Sequence, residues 1–335
     1  MLEEQLQEKI NLKTKPLGSL GRLEKLALQI GMAQNSLFPN LQKPTIIVFA
    51  GDHGIAQMGV SAYPPEVTGQ MVINFLSGGA AINVFCKHNQ IDLQIVDAGV
   101  NYDFYNCGGV LINAKIAKGT KSFLNQKAMT EQQLEQCFYY GKNIVDQLSA
   151  SECNVVGFGE MGIGNTASAS MLMSYLCNIP LEQCIGRGTG LNDHQLLNKT
   201  AILKEAQSFH GTIAGIKEIL QTFAGFEMAQ MTAAMLQAFQ HNMLILVDGF
   251  IATTAFLAAY KMKPDIKQNA IFCHQSDESG HHTLLNYLNV EALLNLNLRV
   301  GEGTGCALAY PVIANAVEFL NNMASFENAN VSNKE

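Results

Sequence analysis

Short apolar or β-branched runs recur along the chain, and each ends in glycine or a polar residue. Thr45–Ala50 precedes Gly51-Asp52-His53-Gly54, Leu93–Val96 precedes Asp97-Ala98-Gly99, and Asn154–Phe158 precedes Gly159-Glu160. Leu244–Val247 precedes Asp248-Gly249, and Ala270–Cys273 precedes His274-Gln275-Ser276-Asp277. Segments of helical character lie between most of these runs. Strands alternating with helices predict an α/β fold: a Rossmann-like, doubly wound, mainly parallel sheet with helices on both faces. Such sheets bind ligands outside the carboxyl ends of their strands. Here those ends carry Asp52, His53, Asp97, Glu160, Asp248 and Ser276. That convergence says more than any one of these residues.

Residues 1–34 read as helical, interrupted at Lys15-Pro16-Leu17-Gly18-Ser19-Leu20-Gly21. Ser19 is placed to cap a helix Leu20–Met32, in which Leu23, Leu26, Ala27 and Ile30 keep helical spacing. A C-terminal helix is expected over Cys306–Met323, where Pro311 should kink it or delay its start. The polar tail Asn328–Glu335 should fray.

Two glycine loops each carry one carboxylate: Gly159-Glu160-Met161-Gly162-Ile163-Gly164-Asn165-Thr166 and Gly301-Glu302-Gly303-Thr304-Gly305. Each precedes a stretch able to form a helix. Glycine lets the backbone come close to a ligand, and a helix start turns free N–H groups toward an anion. The pattern points to an anionic substrate held by backbone, with a carboxylate beside it for proton chemistry. The bland alternative is an exposed loop acid paired with a helix dipole.

Composition narrows the field. The 335 residues are 48% hydrophobic and only 15% charged, with 29 glycines, enough for a sizeable core. A net charge of −7 with no basic cluster argues against a nucleic-acid surface. The eight cysteines form no CxxC pair and the N-terminus is polar and acidic, so the expectation is a cytoplasmic protein with reduced thiols. Apolar runs are broken before about 18 residues, so no membrane helix is expected.

Generic motifs add little. No GxxxxGK[ST] occurs, and Gly51-Asp52-His53-Gly54 does not supply GxGxxG. Leu244–Thr254 is faintly similar to the diphosphate loop of ordinary phosphoribosyltransferases, without its paired magnesium-holding acids. His274, His281 and His282 match no zinc spacing and read as loop and helix-start residues. Neither a metal nor another cofactor is expected. Asp52 and His53 are adjacent, so binding or loop architecture suits them better than a dyad. Ser77-Gly78-Gly79-Ala80-Ala81 reads as a turn into a helix or as close packing.

Taken together, several segments resemble the nicotinate-nucleotide–dimethylbenzimidazole phosphoribosyltransferases, which build the lower-ligand nucleotide of cobalamin. They are 15–24 (KPLGSLGRLE), 51–54 (GDHG), 59–68 (GVSAYPPEVT), the two Gly-Glu loops, and Val247-Asp248-Gly249-Phe250, in the family's order and across nearly the whole chain. The resemblance implies a large α/β domain (41–314), a small helical domain from both chain ends (1–40 plus 315–335), and a homodimer. It implies transfer of phosphoribose from nicotinate mononucleotide to 5,6-dimethylbenzimidazole with inversion at C1′. Glu302 would be the general base. Substrate binding would fall to Glu160, Met161, Gly162, Ile163, Gly164, Asn165, Lys199, Ser276, Asp248 and Val300. The family's benzimidazole pocket has a serine just before the proline matching Pro64 and a glutamine seven residues after it. This chain has Tyr63 and Met71 there, with Gln70 adjacent, giving a flatter, more apolar slot. The alternatives are transfer to adenine or a simpler benzimidazole, and a non-catalytic nucleotide- or base-binding relative.

Overall fold

The computed structural model describes residues 1–105, 111–188 and 190–332; Cys107 and residues 333–335 of the polar tail lie outside them. Among the described residues, six strands form one sheet: β1 (Thr45–Gly51), β2 (Asp92–Gly99), β3 (Leu111–Asn113), β4 (Val155–Met161), β5 (Leu244–Val247) and β6 (Ala270–Phe272). Their order is β3-β2-β1-β4-β5-β6 and every pairing is parallel. This is a doubly wound α/β sheet with its switch point between β1 and β4.

The α-helices around it are α1 (Leu2–Asn11), α2 (Arg22–Ala33), α3 (Val67–Leu76), α4 (Ala81–His88), α5 (Glu131–Ala150) and α6 (Asn165–Cys177), then α7 (Asp193–His210), α8 (Ile216–Phe223), α9 (Phe226–Gln240), α10 (Phe250–Met262), α11 (Ser279–Leu288) and α12 (Thr304–Asn322). Every residue of β1 is buried. Its side chains alternate between two cores: Ile46, Val48 and Ala50 join the one shared with α1, α2, α3, α4 and α12, whereas Ile47 and Phe49 join the one shared with α5, α6, α9 and α10. A strand covered on both faces has no polar positions to show, which is why β1 reads as a continuous apolar run.

The structure corrects several boundaries. β4 runs through Glu160 and Met161, which pair with Phe49 and Ala50 of β1, so Glu160 sits on a strand rather than in a loop. The ladder outweighs the turn preference of its glycines. The three-residue β3 has no sequence signature. Ser19 does not cap α2, whose N-cap is Gly21. Instead Glu24 accepts the Leu20 N–H at 3.0 Å and pairs with Lys15 at 2.9 Å. α12 starts at Thr304, so Pro311 lies inside it and does not delay its start. Ala307 C=O, which Pro311 cannot serve, accepts from Asn89 Nδ2 at 3.0 Å.

Val67–His88 is long and apolar enough by composition to cross a membrane. It is two helices of 10 and 8 residues, α3 and α4, broken at Ser77–Ala80, each far short of the roughly 20 residues a span requires. The chain ends meet: Thr14 N–H donates to Ala324 C=O at 3.0 Å and Phe326 N–H to Leu12 C=O at 3.1 Å.

Candidate functional site

The two Gly-Glu segments, far apart in sequence, pack backbone against backbone. A Cβ on Gly159 would fall 2.3 Å from Gly303 N and 2.4 Å from the Glu302 carbonyl carbon. Only glycine at 159 lets the second segment cross the end of β4. Glu302 itself has φ 64°, a left-handed conformation that costs a non-glycine residue on the order of 1 kcal/mol. What holds it there is Asp248, at the carboxyl end of β5. One Asp248 oxygen accepts the Gly303 N–H at 3.0 Å and the other the Gly305 N–H at 2.7 Å. Asp248 therefore organises the loop rather than lining the cavity.

The electrostatics of the two glutamates differ. Glu302 is 7% exposed, and its Oε2 is buried without a hydrogen-bond partner. Burial, then the negative charge of Asp248, raises its pKa to about 7. Glu160 is raised well above the ordinary carboxylate range by burial first, then by Asp248, Glu227 and Glu302. Its Oε2 accepts from Asn165 Nδ2, at the start of α6. The first carboxyl, near 7, is poised to exchange a proton near neutrality; the second is shifted toward its neutral form by burial and by the three carboxylates around it.

Beside them lies a cavity of about 100 Å³. Glu160, Met161, Gly162, Ile163, Asn165, Ser276 and Val300 line it, joined by Thr166, His274, Glu278 and Arg299. A second hollow of about 30 Å³ shares the 162–166 segment and adds Gly164, the N-cap of α6, and Arg187. Below this segment Lys199 of α7 is fully buried and donates to Thr166 Oγ1 at 2.9 Å and Gly186 C=O at 3.1 Å. Burial lowers its pKa to about 8, with Glu278 acting in the opposite direction. Glu278 has one buried oxygen without a partner. Two larger hollows, about 510 and 600 Å³, lie beside α2 and between the chain ends. Neither is lined by a buried polar side chain lacking a partner, or lies at the carboxyl ends of β1 and β4.

Not every expected residue converges. Tyr63 is 50% exposed and Gln70 is exposed, while Met71 leans half-buried on the core beneath α3. None of the three lines the cavity. Asp52 accepts the Asn101 N–H at 2.7 Å and serves loop architecture. His53 contacts Ser168 Oγ at 2.9 Å and Glu227 Oε1 at 2.7 Å, both buried. The three grouped histidines part company: His274 faces Asp248, His281 bridges Ser276 N and Thr253 Oγ1, and His282 meets Asn286. Sequence reasoning missed Glu227, Glu278 and Arg299. Only the Gly225-Phe226-Glu227 helix start hinted at the first of these.

A family model described as a phosphoribosyltransferase matches residues 1–331. A nicotinate-nucleotide–dimethylbenzimidazole phosphoribosyltransferase of Dechloromonas aromatica is 53% identical, covering 100% of this chain and 97% of that protein. The protein of the same name from Cupriavidus taiwanensis is 52% identical over 98% of this chain and 94% of its own length. The crystal structure of CobT from Thermus thermophilus superposes with a TM-score of 0.96 at 34% identity, covering 99% of both chains. The chain belongs to the nicotinate-nucleotide–dimethylbenzimidazole phosphoribosyltransferase family.

Proposed function

We propose that the protein transfers 5-phosphoribose from nicotinate mononucleotide to 5,6-dimethylbenzimidazole, with inversion at C1′, in cobalamin biosynthesis. The observation that carries this reading is Glu302: a buried carboxylate with an unpartnered oxygen and a pKa of about 7, next in the chain to Gly301 of the cavity lining, with the buried Lys199 bonded to Thr166 of the same lining. Nicotinate mononucleotide is a pyridinium riboside, so its leaving group departs without protonation. The remaining proton is the N–H of the incoming base, lost as its other ring nitrogen attacks C1′. Glu302 accepts that proton, a contribution of about 10²–10⁴-fold.

Glu160, its pKa raised by burial and by neighbouring carboxylates, is placed to hydrogen-bond a ribose oxygen. Lys199 and the 162–166 segment at the start of α6 take the 5′-phosphate, with Ser276 beside it. Replacing Glu302 with Gln and following α-riboside and nicotinate by chromatography tests the reading; near-normal turnover overturns it. A relative that only binds would release no nicotinate with both substrates present.

The acceptor is the less constrained part, because Tyr63, Gln70 and Met71 stand outside the cavity lining. Competition between dimethylbenzimidazole and adenine in one reaction reads their relative kcat/KM and decides it. We further propose a homodimer, supported by exposed Tyr63, Ile73 and Val84 on and beside α3 and α4; sedimentation at monomeric mass overturns that. A cytoplasmic location is supported by seven buried free cysteines among the described residues. We treat 1–40 plus 315–335 as a helical subdivision, its apolar residues continuous with one sheet core.

A further inference from the structure

His274 follows β6 and lines the cavity, yet only 1% of it is exposed and neither ring nitrogen has a hydrogen-bond partner. Its Nε2 lies 3.4 Å from Asp248 Oδ1, an ion-pair contact without hydrogen-bond geometry. The ring is socketed against the Glu302 loop: a Cβ on Gly305 would fall 1.9 Å from His274 Cδ2, and one on Gly249 3.1 Å from Nε2. The same Asp248 oxygen that faces the ring accepts the Gly305 N–H, and its other oxygen accepts the Gly303 N–H. Imidazole, carboxylate and the two loop amides that follow Glu302 thus form one chain of contacts.

We propose that His274 is a positioning residue for Glu302: through Asp248 it fixes the carboxylate that holds the loop and offsets the negative charge Glu302 would otherwise face. The inference rests on the reading of Glu302 as the base. Asp248 also faces the buried Cys306 thiol of α12, which in turn contacts Cys273 after β6. Glu302 faces Asp248 from the end of β5 and Glu160 from β4, and Glu160 in turn faces Glu227 from α9. Arg299 precedes the loop and lines the cavity with Glu278, which in turn interacts with the buried Lys199. His274 faces Asp248 and, from α11, His281, their ring centroids 6.4 Å apart. His281 is pushed down to about 3 by burial, then by His274 and His282, so it stays neutral. For His274, burial works against the charged ring, but Asp248 together with the Gln275 backbone outweighs it, leaving the pKa above the ordinary imidazole value. Where it carries its proton, His274 compensates Asp248 across their 3.4 Å contact; remove it, and Asp248 repels a second negative charge on Glu302, which then holds its proton more tightly.

The test is the pH dependence of kcat/KM for wild type, His274→Gln, His274→Phe and Glu302→Gln, using the full chain and both substrates. Gln keeps a neutral donor within reach of Asp248, so it removes charge while holding the loop. Its acidic limb should rise by about one pH unit with the plateau intact, about a tenfold rate loss below the limb. Phe should give the same shift and a lowered plateau. A folded His274→Gln with wild-type thermal stability and an unmoved limb overturns the proposal. Full activity in Glu302→Gln would instead overturn the base assignment itself.

Should neither His274 variant fold, histidine side-chain NMR on otherwise intact protein decides. Coupling is reciprocal, so Glu302→Gln should lower the His274 titration midpoint. An unchanged midpoint overturns the proposal.

Discussion

The segments at 159–166 and 301–305 look alike in sequence and do different things in the fold. Glu160 is part of a strand, paired in register with Phe49, and its carboxyl is tied to Asn165. Glu302 sits in a left-handed turn, tied down by neighbouring amides rather than by its own side chain, so one oxygen stays free. Both are buried, and both are pushed up by burial and by Asp248. Glu160 feels two further carboxylates, Glu227 and Glu302, and Glu302 itself moves only to about 7. Two acids whose surroundings push them apart divide naturally into a neutral donor and a working base.

The largest expected effect is on the second segment. Glu302→Gln should lower kcat by about 10²–10⁴-fold with little change in KM, because only the base is lost. Glu160→Gln copies a protonated carboxyl and should cost less than about tenfold in kcat, the size of one imperfectly replaced neutral hydrogen bond. If steady-state kinetics gives equal losses, the division of labour is wrong.

Lys199→Ala should raise the KM for nicotinate mononucleotide by about 10–100-fold, as expected for a lost charge-assisted contact, with a smaller change in kcat. An unchanged KM would remove Lys199 from the phosphate site. The pH profile sharpens both points. On the proposed roles, activity needs Glu302 deprotonated and Lys199 charged. So kcat/KM should rise through pH of about 7 and fall above about 8, a narrow bell. Lys199→Ala should lose the alkaline limb.

The smallest effect is on stability. Glu302 has a native pKa of about 7 against an ordinary 4.5. The native state therefore binds more protons than the unfolded state between these values, and stability falls as pH rises through that window. Glu302→Gln removes the cost and should stabilise the protein by up to about 3 kcal/mol at pH 8 and by almost nothing at pH 4, measured by denaturant unfolding. The glycine at 159 acts oppositely: Gly159→Ala drives a methyl into the Glu302 backbone and should destabilise both segments at once.

Much of this was legible beforehand. Doubly wound order follows from apolar runs punctuated by glycine and acids, since strands covered on both faces must be apolar throughout. Both Gly-Glu segments stand out on their own pattern and Ser276 on its place after a strand, whereas Lys199 is a candidate only through the family resemblance. The boundaries failed where long-range pairing won: β4 swallowed Glu160 because β1 offered it a partner, and Glu24, not Ser19, took the free amide before α2. His274 reads as a loop residue from sequence, because a histidine after a strand looks the same whether it faces solvent or an aspartate.

The sequence by itself determined the alternation of elements, the two carboxylates and the glycines that let them come close, because these depend on local pattern and residue type. Only the tertiary structure decided that the two segments touch, that Asp248 gathers the amides following Glu302, and that Glu160 feels two carboxylates more than Glu302 does. Those outcomes depend on desolvation and on charges brought together from β4, β5 and the start of α12, and both are properties of packing rather than of any stretch of chain.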